Sequence, residues 1–261
     1  MKAKKSGKLI LYFVLRLLVV GAMVLELLDK DYYGVFLCVL TLILFMIPVF
    51  VDKKLKIKLP SLLEVIILLF IFCAEILGEL RGFYLKFPYW DTLLHTMNGF
   101  IMAGIGLAMI DILNRTPSLR FSLSPIFTAL VAFCFSMTIG VMWEFFEFGM
   151  DYFTYSDMQK DTVCRRISSV NLNPDAENVP YVITDIDKTV ISGKMNGEKT
   201  EITIDGYLDI GLLDTMEDLT VNCIGALAFS FFGIFYLKGR SKIALGFVPS
   251  IKSNEEEDHE N

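Results

Sequence analysis

Long apolar runs constrain this chain more than any other feature. Six can be read off its 261 residues: Leu9–Leu28, Gly34–Val51, Ser61–Glu79, Asp91–Leu113, Ser124–Asp151 and Asp214–Leu237. Each is close to the ~20 residues that a helix needs to cross a ~30 Å hydrocarbon core. The expected fold is therefore an all-α integral membrane protein, a six-helix transmembrane bundle with a small exoplasmic insertion. Residues 1–151 hold spans one to five, 152–213 the insertion, 214–238 span six and 239–261 a cytoplasmic tail. That tail ends in the acidic Glu255–Asn261 and reads as a solvated, disordered end.

Basic residues set the expected orientation, because cytoplasmic loops carry the excess of Lys and Arg. Lys2, Lys4, Lys5 and Lys8 precede span one, and Lys53, Lys54, Lys56 and Lys58 separate spans two and three. Arg115 and Arg120 separate spans four and five, and Lys238, Arg240 and Lys242 follow span six. The opposite short loops hold only Lys30, Arg81 and Lys86. Both termini should face the cytoplasm and the long connection should face outward. The basic N-terminus also suits a signal peptide. However, Glu26-Leu-Leu-Asp29 follows the first run where a small-residue cleavage site would stand, so it reads as a retained span. Cys38, Cys73, Cys134 and Cys223 lie in apolar runs and Cys164 stands alone in the insertion, which implies small core hydrophobes and no disulfide framework.

Within the insertion, Tyr181–Ile191 and Thr200–Ile204 are β-branched and partly alternating, with Asn196-Gly197 between them. Asn-Gly supplies the positive φ angles of a tight turn, so a β-hairpin is expected. The stretch Val182-Ile-Thr-Asp-Ile-Asp-Lys-Thr-Val190 resembles the aspartate-nucleophile motif of haloacid-dehalogenase phosphatases, with Asp185 and Asp187 in the active positions. Such an enzyme needs a whole doubly wound sheet around the motif, and an insertion of this length cannot build one. A plain exposed hairpin is the expectation.

The spans carry acids where a lipid-facing helix would not. An ionisable side chain at the centre of a span costs ~2.5–3.5 kcal/mol even on gentle insertion scales. Yet Glu75 and Glu79 lie in span three, Asp91 and His95 in span four, Glu144, Glu147 and Asp151 in span five, and Asp214 and Asp218 in span six. Turned to lipid, the set would forfeit on the order of 10 kcal/mol or more, so these groups should face the bundle interior. Asp91, His95 and Asn98 fall within ~60° of one another on a helical wheel, as do Glu144, Glu147 and Asp151. Asp214, Asp218 and Asn222 form a slowly drifting stripe. At ~1.5 Å rise per residue, His95, Glu147 and Asp218 each lie ~6 Å inside the outermost acid of their own helix, and Glu75 lies as deep below Glu79. Four helices thus bring polar groups to one layer near the outer membrane surface.

Crowded carboxylates need a counter-charge, and no Lys or Arg occurs in this part of the spans. Two remedies remain open. One is a bound divalent metal ion as cofactor, with His95, Glu144, Glu147, Asp218, Asp91 and Asp214 as candidate ligands, a donor set hard enough for Mg, Ca or Mn and acceptable to Zn or Fe. The other is a set of carboxylates that share protons and hold one another by hydrogen bonds. An internal echo accompanies the layer: Glu75-x3-Glu79 followed by Asp91-Thr92-x2-His95-x2-Asn98-Gly99 parallels Glu144-x2-Glu147-x3-Asp151 followed by Asp214-Thr215-x2-Asp218-x3-Asn222-x2-Gly225. A duplication of this sense would be a parallel repeat with its pseudo-axis along the membrane normal.

The motifs Asp91-x3-His95-x3-Gly99-Phe100, Trp143-Glu144-x2-Glu147, and Asp214-Thr215-x2-Asp218 before Gly225-Ala226 resemble the YjdF-like family of bacterial multi-pass inner-membrane proteins. More distantly they are similar to VanZ-like membrane proteins, which also place Asp-x3-His in one helix and acids followed by Asn and Gly in a later one. The resemblance covers spans three to six. It implies a bacterial plasma-membrane location and a shared polar site, and it supplies no reaction. Three functions stay open. One is a metal-assisted hydrolase acting on a lipid or cell-envelope precursor, with Glu147 and Asp218 as catalytic carboxylates. The others are a cation- or proton-binding transporter, and a structural or interaction membrane protein. The partners to expect are membrane lipids, not nucleic acid.

Overall fold

The computed structural model describes residues 2–54, 57–115, 123–175, 177–239 and 250–251. Among them are six helices long and apolar enough to cross a membrane: Gly7–Asp29, Tyr32–Lys54, Ser61–Leu80, Trp90–Asn114, Pro125–Thr154 and Leu212–Leu237, here spans one to six. Each coincides with an expected span to within a few residues at either end. The chain divides into two compact units, one of residues 1–141 and 218–261, the other Met142–Glu217.

In the first unit, span one buries the stripe Leu15, Val19, Ala22 and Glu26, spaced four, three and four residues apart as one face of a helix requires. The stripe packs with Cys38, Phe45, Leu68, Ile71 and Ile76 of spans two and three. On its other faces Leu9, Phe13, Leu17 and Leu28 stay exposed, an apolar surface whose natural solvent is lipid. Asp31 caps span two by accepting the N–H groups of Tyr33 and Gly34, both at 3.1 Å. Span two breaks after Leu44 and resumes at Ile47. Pro48 explains the break, since its ring opposes the carbonyl four residues back and it has no N–H to give.

Span three changes helix type partway. Ser61–Ile71 is α-helical and Phe72–Leu80 is π-helical, closed by the Arg81 N–H on the Ile76 carbonyl five residues back. Glu75 is buried in this stretch. The opposite end of span three carries a network absent from the sequence expectation: Tyr12 donates to Glu64 at 2.8 Å, and Lys8 pairs with the same carboxylate. Glu26 of span one faces Arg81 at 3.6 Å. Spans four and five are stapled where Asn114 exchanges hydrogen bonds with the N–H and C=O of Leu123. Ser250–Ile251 pairs antiparallel with Ile57–Lys58; the rest of the expected disordered tail lies outside the described residues.

The second unit contains the insertion, which is built of short antiparallel pairs. Val163–Cys164 pairs with Tyr207–Leu208, Ile167–Ser169 with Tyr181–Ile183, and Thr189–Met195 with Glu198–Ile204. The last is the expected hairpin, turning through Asn196 at φ 52° and Gly197 at φ 87°. Its first strand starts later than the sequence suggests. Tyr181–Ile183 belongs to a different pair, and the chain between the two strands bends at Asp185, whose φ is 55°. Arg165 fastens that bend, donating to the carbonyls of Ile186 and Asp187 and to the Asp205 carboxylate at 3.0–3.3 Å. No doubly wound sheet surrounds Asp185 and Asp187 among the described residues.

Candidate functional site

Spans four and six run parallel and touch backbone to backbone. Gly99 lies against the carbonyl of Asn222, and Gly225 lies against the carbonyl of Thr96; a Cβ on either glycine would run into that carbonyl. The contact is reciprocal, as an axis between the two halves of the sequence echo would make it. Close approach through small residues is how helices pack where lipid offers no hydrophobic drive. Phe100 packs edge-on against Phe229 at 4.9 Å further along the same seam.

One turn from this crossing, His95 of span four and Asp218 of span six come together. His95 Nε2 lies 3.3 Å from Asp91 Oδ1 and 3.7 Å from Asp218 Oδ2. His95 and Asp218 are buried and Asp91 is partly exposed. One ligand atom from each of the three lies within 4.8 Å of the others. Two carboxylates from different helices therefore converge on a single imidazole nitrogen, at separations longer than the ~2.7–2.9 Å of a tight charge-assisted bond. Donors held ~2.1 Å from a tetrahedral ion would stand ~3.4 Å apart, so the spacing suits a shared cation.

Beneath the trio is a polar floor. Asn98 donates to Asn222 Oδ1 at 3.0 Å, and Asn222, fully buried, donates to Met137 Sδ at 3.6 Å. Ser136 Oγ donates to the Gly99 carbonyl at 2.8 Å. Below that level the bundle turns apolar: Ala103, Leu107, Ala108, Ala132, Ala226 and Phe229 form one buried cluster.

The other expected site residues belong to the second unit. Glu144 and Glu147 are both buried on span five, and Glu147 Oε1 accepts the Trp143 indole N–H at 2.9 Å. Asp151 accepts the N–H groups of Met158 and Gln159 at 2.6 and 2.8 Å and the Ser156 hydroxyl at 2.9 Å. Asp214 Oδ2 accepts the Lys160 N–H at 2.8 Å, and Gln159 donates to Thr215. Asp151 and Asp214, read from the sequence as members of the acidic layer, thus strap residues 156–160 across the ends of spans five and six. Asp209, just before span six, takes the N–H groups of Thr162, Leu213 and Gly211. Its burial, the largest single influence, would raise its carboxyl, but those N–H groups together hold it below the ordinary carboxylate value.

Sequence reasoning singled out Asp91, His95 and Asp218 correctly as neighbours but passed over Glu64, Ser136 and the Trp143–Glu147 pair. Glu64 could have been found by matching depth at the basic end, where Lys8 and Tyr12 begin span one. Trp143 stands four residues before Glu147, one helical turn away.

A family model described as Predicted membrane protein (DUF2238) matches residues 10–239. No curated protein and no solved structure matches the chain.

Proposed function

The chain belongs to that family of membrane proteins, and from this premise we propose that it is a membrane-embedded divalent-cation protein whose ion is held by Asp91, His95 and Asp218 and serves hydrolysis of a lipid or cell-envelope precursor. The observation that carries the reading is the approach of two carboxylates, from spans four and six, to one His95 nitrogen. Three protein ligands with a further position open to water or substrate is the pattern of catalytic metal sites. A cation there would polarise an ester or phosphoryl oxygen and ease ionisation of a water. His95 supplies a neutral nitrogen donor, and the two aspartates supply the negative charge that retains the ion. Glu144, Glu147 and Asp214 are enlisted by the depth pattern of the sequence alone, with Glu147 in the part of general base; their share is tested separately by Glu147→Gln.

Substrate class follows from location. Residues at the ends of membrane spans meet amphiphiles before they meet soluble metabolites. Transport is the weaker reading, because the apolar cluster around Leu107 and Phe229 lies directly beneath the polar floor and offers a cation no ligands. We also take the termini as cytoplasmic and the membrane as the bacterial inner one. Labelling a single Asn196→Cys on a cysteine-free background tests this; modification only from the cytoplasmic side would reverse it.

Metal binding to the folded state alone raises stability by mass action, about 2.7 kcal/mol at a hundredfold excess over Kd. Mn, Zn or Ca should therefore raise the melting temperature of the detergent-solubilised protein at neutral pH. The gain should shrink in mild acid, as protons compete for the carboxylates and the imidazole. His95→Ala should abolish it. If no divalent ion shifts the wild-type transition at either pH, the metal reading is lost and a purely structural polar cluster takes its place.

A further inference from the structure

The hydrogen-bond directions beneath the trio fix the orientation of one more side chain. Met137 offers only a thioether sulfur, an acceptor, so the group that Asn222 turns toward it must be its amide N–H2. Asn222 Oδ1 is then the acceptor for Asn98, whose Nδ2 donates to it. Turning either amide over would set oxygen against oxygen or oxygen against sulfur and forfeit both bonds. Packing reinforces the lock, since Gly140 lies against the Asn222 amide with no room for a Cβ. Asn98 is left with its carbonyl oxygen uncommitted: among the described residues no donor bonds it.

That oxygen has a definite neighbourhood. Asn98 is three residues after His95 and shares its helix face. On an α-helix the Cα–Cβ bonds tilt toward the N-terminus, so a side chain covers the turn that precedes its own Cα. For Asn98 the preceding turn is that of His95 and Asp91. Asn222 stands in the same relation to Asp218, four residues earlier on span six.

We propose that Asn98 is a fourth member of the cation site, contributing its amide oxygen as a ligand, and that Asn222 is the positioning residue that keeps this oxygen turned toward the ion. The proposal rests on the metal reading above and sharpens it by specifying the class of ion. Three oxygen donors and one imidazole, one of the oxygens a neutral carbonyl, favour a hard cation of the Mn, Mg or Ca kind over Zn, because amide carbonyls are ligands of hard ions.

The test compares Mn and Zn affinities, by calorimetric titration of the full-length protein in detergent, across wild type, Asn98→Ala and Asn98→Asp. Asn98→Ala removes the oxygen and should weaken Mn binding tenfold or more while changing Zn binding threefold at most. Asn98→Asp loses the donor to Asn222 but keeps an oxygen for the ion, so it should bind Mn at least as well as wild type. A merely structural Asn98 gives a different pattern, in which both variants weaken both metals equally, and that result overturns the proposal. So does an unchanged Mn affinity in Asn98→Ala alongside its loss in His95→Ala, which would leave the three-residue site standing. Absence of binding by the wild type removes the metal reading itself, and this inference with it.

Discussion

Aspartates of the bundle and aspartates of the insertion look alike in the sequence and are used in opposite ways. In the first unit, Asp91 and Asp218 turn toward an imidazole inside a seam made of glycine. In the second, Asp151, Asp209 and Asp214 turn toward backbone N–H groups and tie loops to helix ends. The difference follows from the solvent. A seam within lipid gains little from apolar burial and must be assembled by close contact, so a polar group placed there is costly unless it has a partner. An insertion in water has short strands and little core, so directed hydrogen bonds define its shape. The bundle should accordingly be sensitive to volume and the insertion to the loss of acceptors.

Gly225→Ala should give the largest effect. Its Cβ would meet the Thr96 carbonyl, backbone against backbone, where no side chain can swing away. A cost at or above the ~1–3 kcal/mol of core overpacking is expected, read as a lower melting temperature in detergent. Because the seam holds His95 and Asp218 together, the divalent-ion gain should fall with it. An unchanged melt would mean that the seam does not govern the bundle.

Asp209→Ala should come next, at about 1–2 kcal/mol for three backbone N–H groups left without their acceptor. The damage should stay local. Hydrogen exchange should quicken at Thr162 and Leu213 while the metal-dependent shift is kept; loss of that shift would erase the distinction between the two regions. Acid offers the same test without a mutation. The folded Asp209 carboxyl is held below its usual value, so its contribution is fully present above the unfolded value of ~3.9 and is lost as pH falls through the folded one. Amide NMR shifts of Thr162 and Leu213 should hold steady from neutrality down to about pH 4 and move only below it.

Asp205→Asn should have the smallest effect. The Arg165 guanidinium holds the Asp205 carboxyl below the usual range, but both groups are exposed to water and screened by salt. Global melting should not change. A loosened bend at Asp185, seen by limited proteolysis, is the most that is expected.

Run length made the six spans legible almost to the residue, because the thickness of a bilayer is a physical ruler that the sequence must match. Helical spacing likewise made Asp91, His95 and Asp218 legible as one cluster. What stayed hidden depends on information that periodicity does not carry. That Asp151 and Asp214 hold residues 156–160 is decided by the path of a loop, and a wheel diagram contains no loops. The late start of the hairpin strand is decided at Asp185, where a left-handed residue interrupts a stretch whose composition favours a strand throughout. The π-helical stretch of span three has the hydropathy of an ordinary helix, so its extra width leaves no trace in the pattern of apolar residues.

That stretch gives span three a length tolerance that straight α-helices lack. A hydrogen bond reaching five residues back encloses one residue more than the α-helical bond does. Deleting a single residue, such as Ala74, from a plain α-helix would rotate everything on one side of the cut by ~100° relative to the other. Within Phe72–Leu80 the same deletion can be absorbed by reverting to α-helical pairing, leaving Leu68 and Arg81 in their original phase. Span three can thus shed a residue by a single in-frame deletion and keep both ends seated, with the rotation confined to Glu75 and its immediate neighbours.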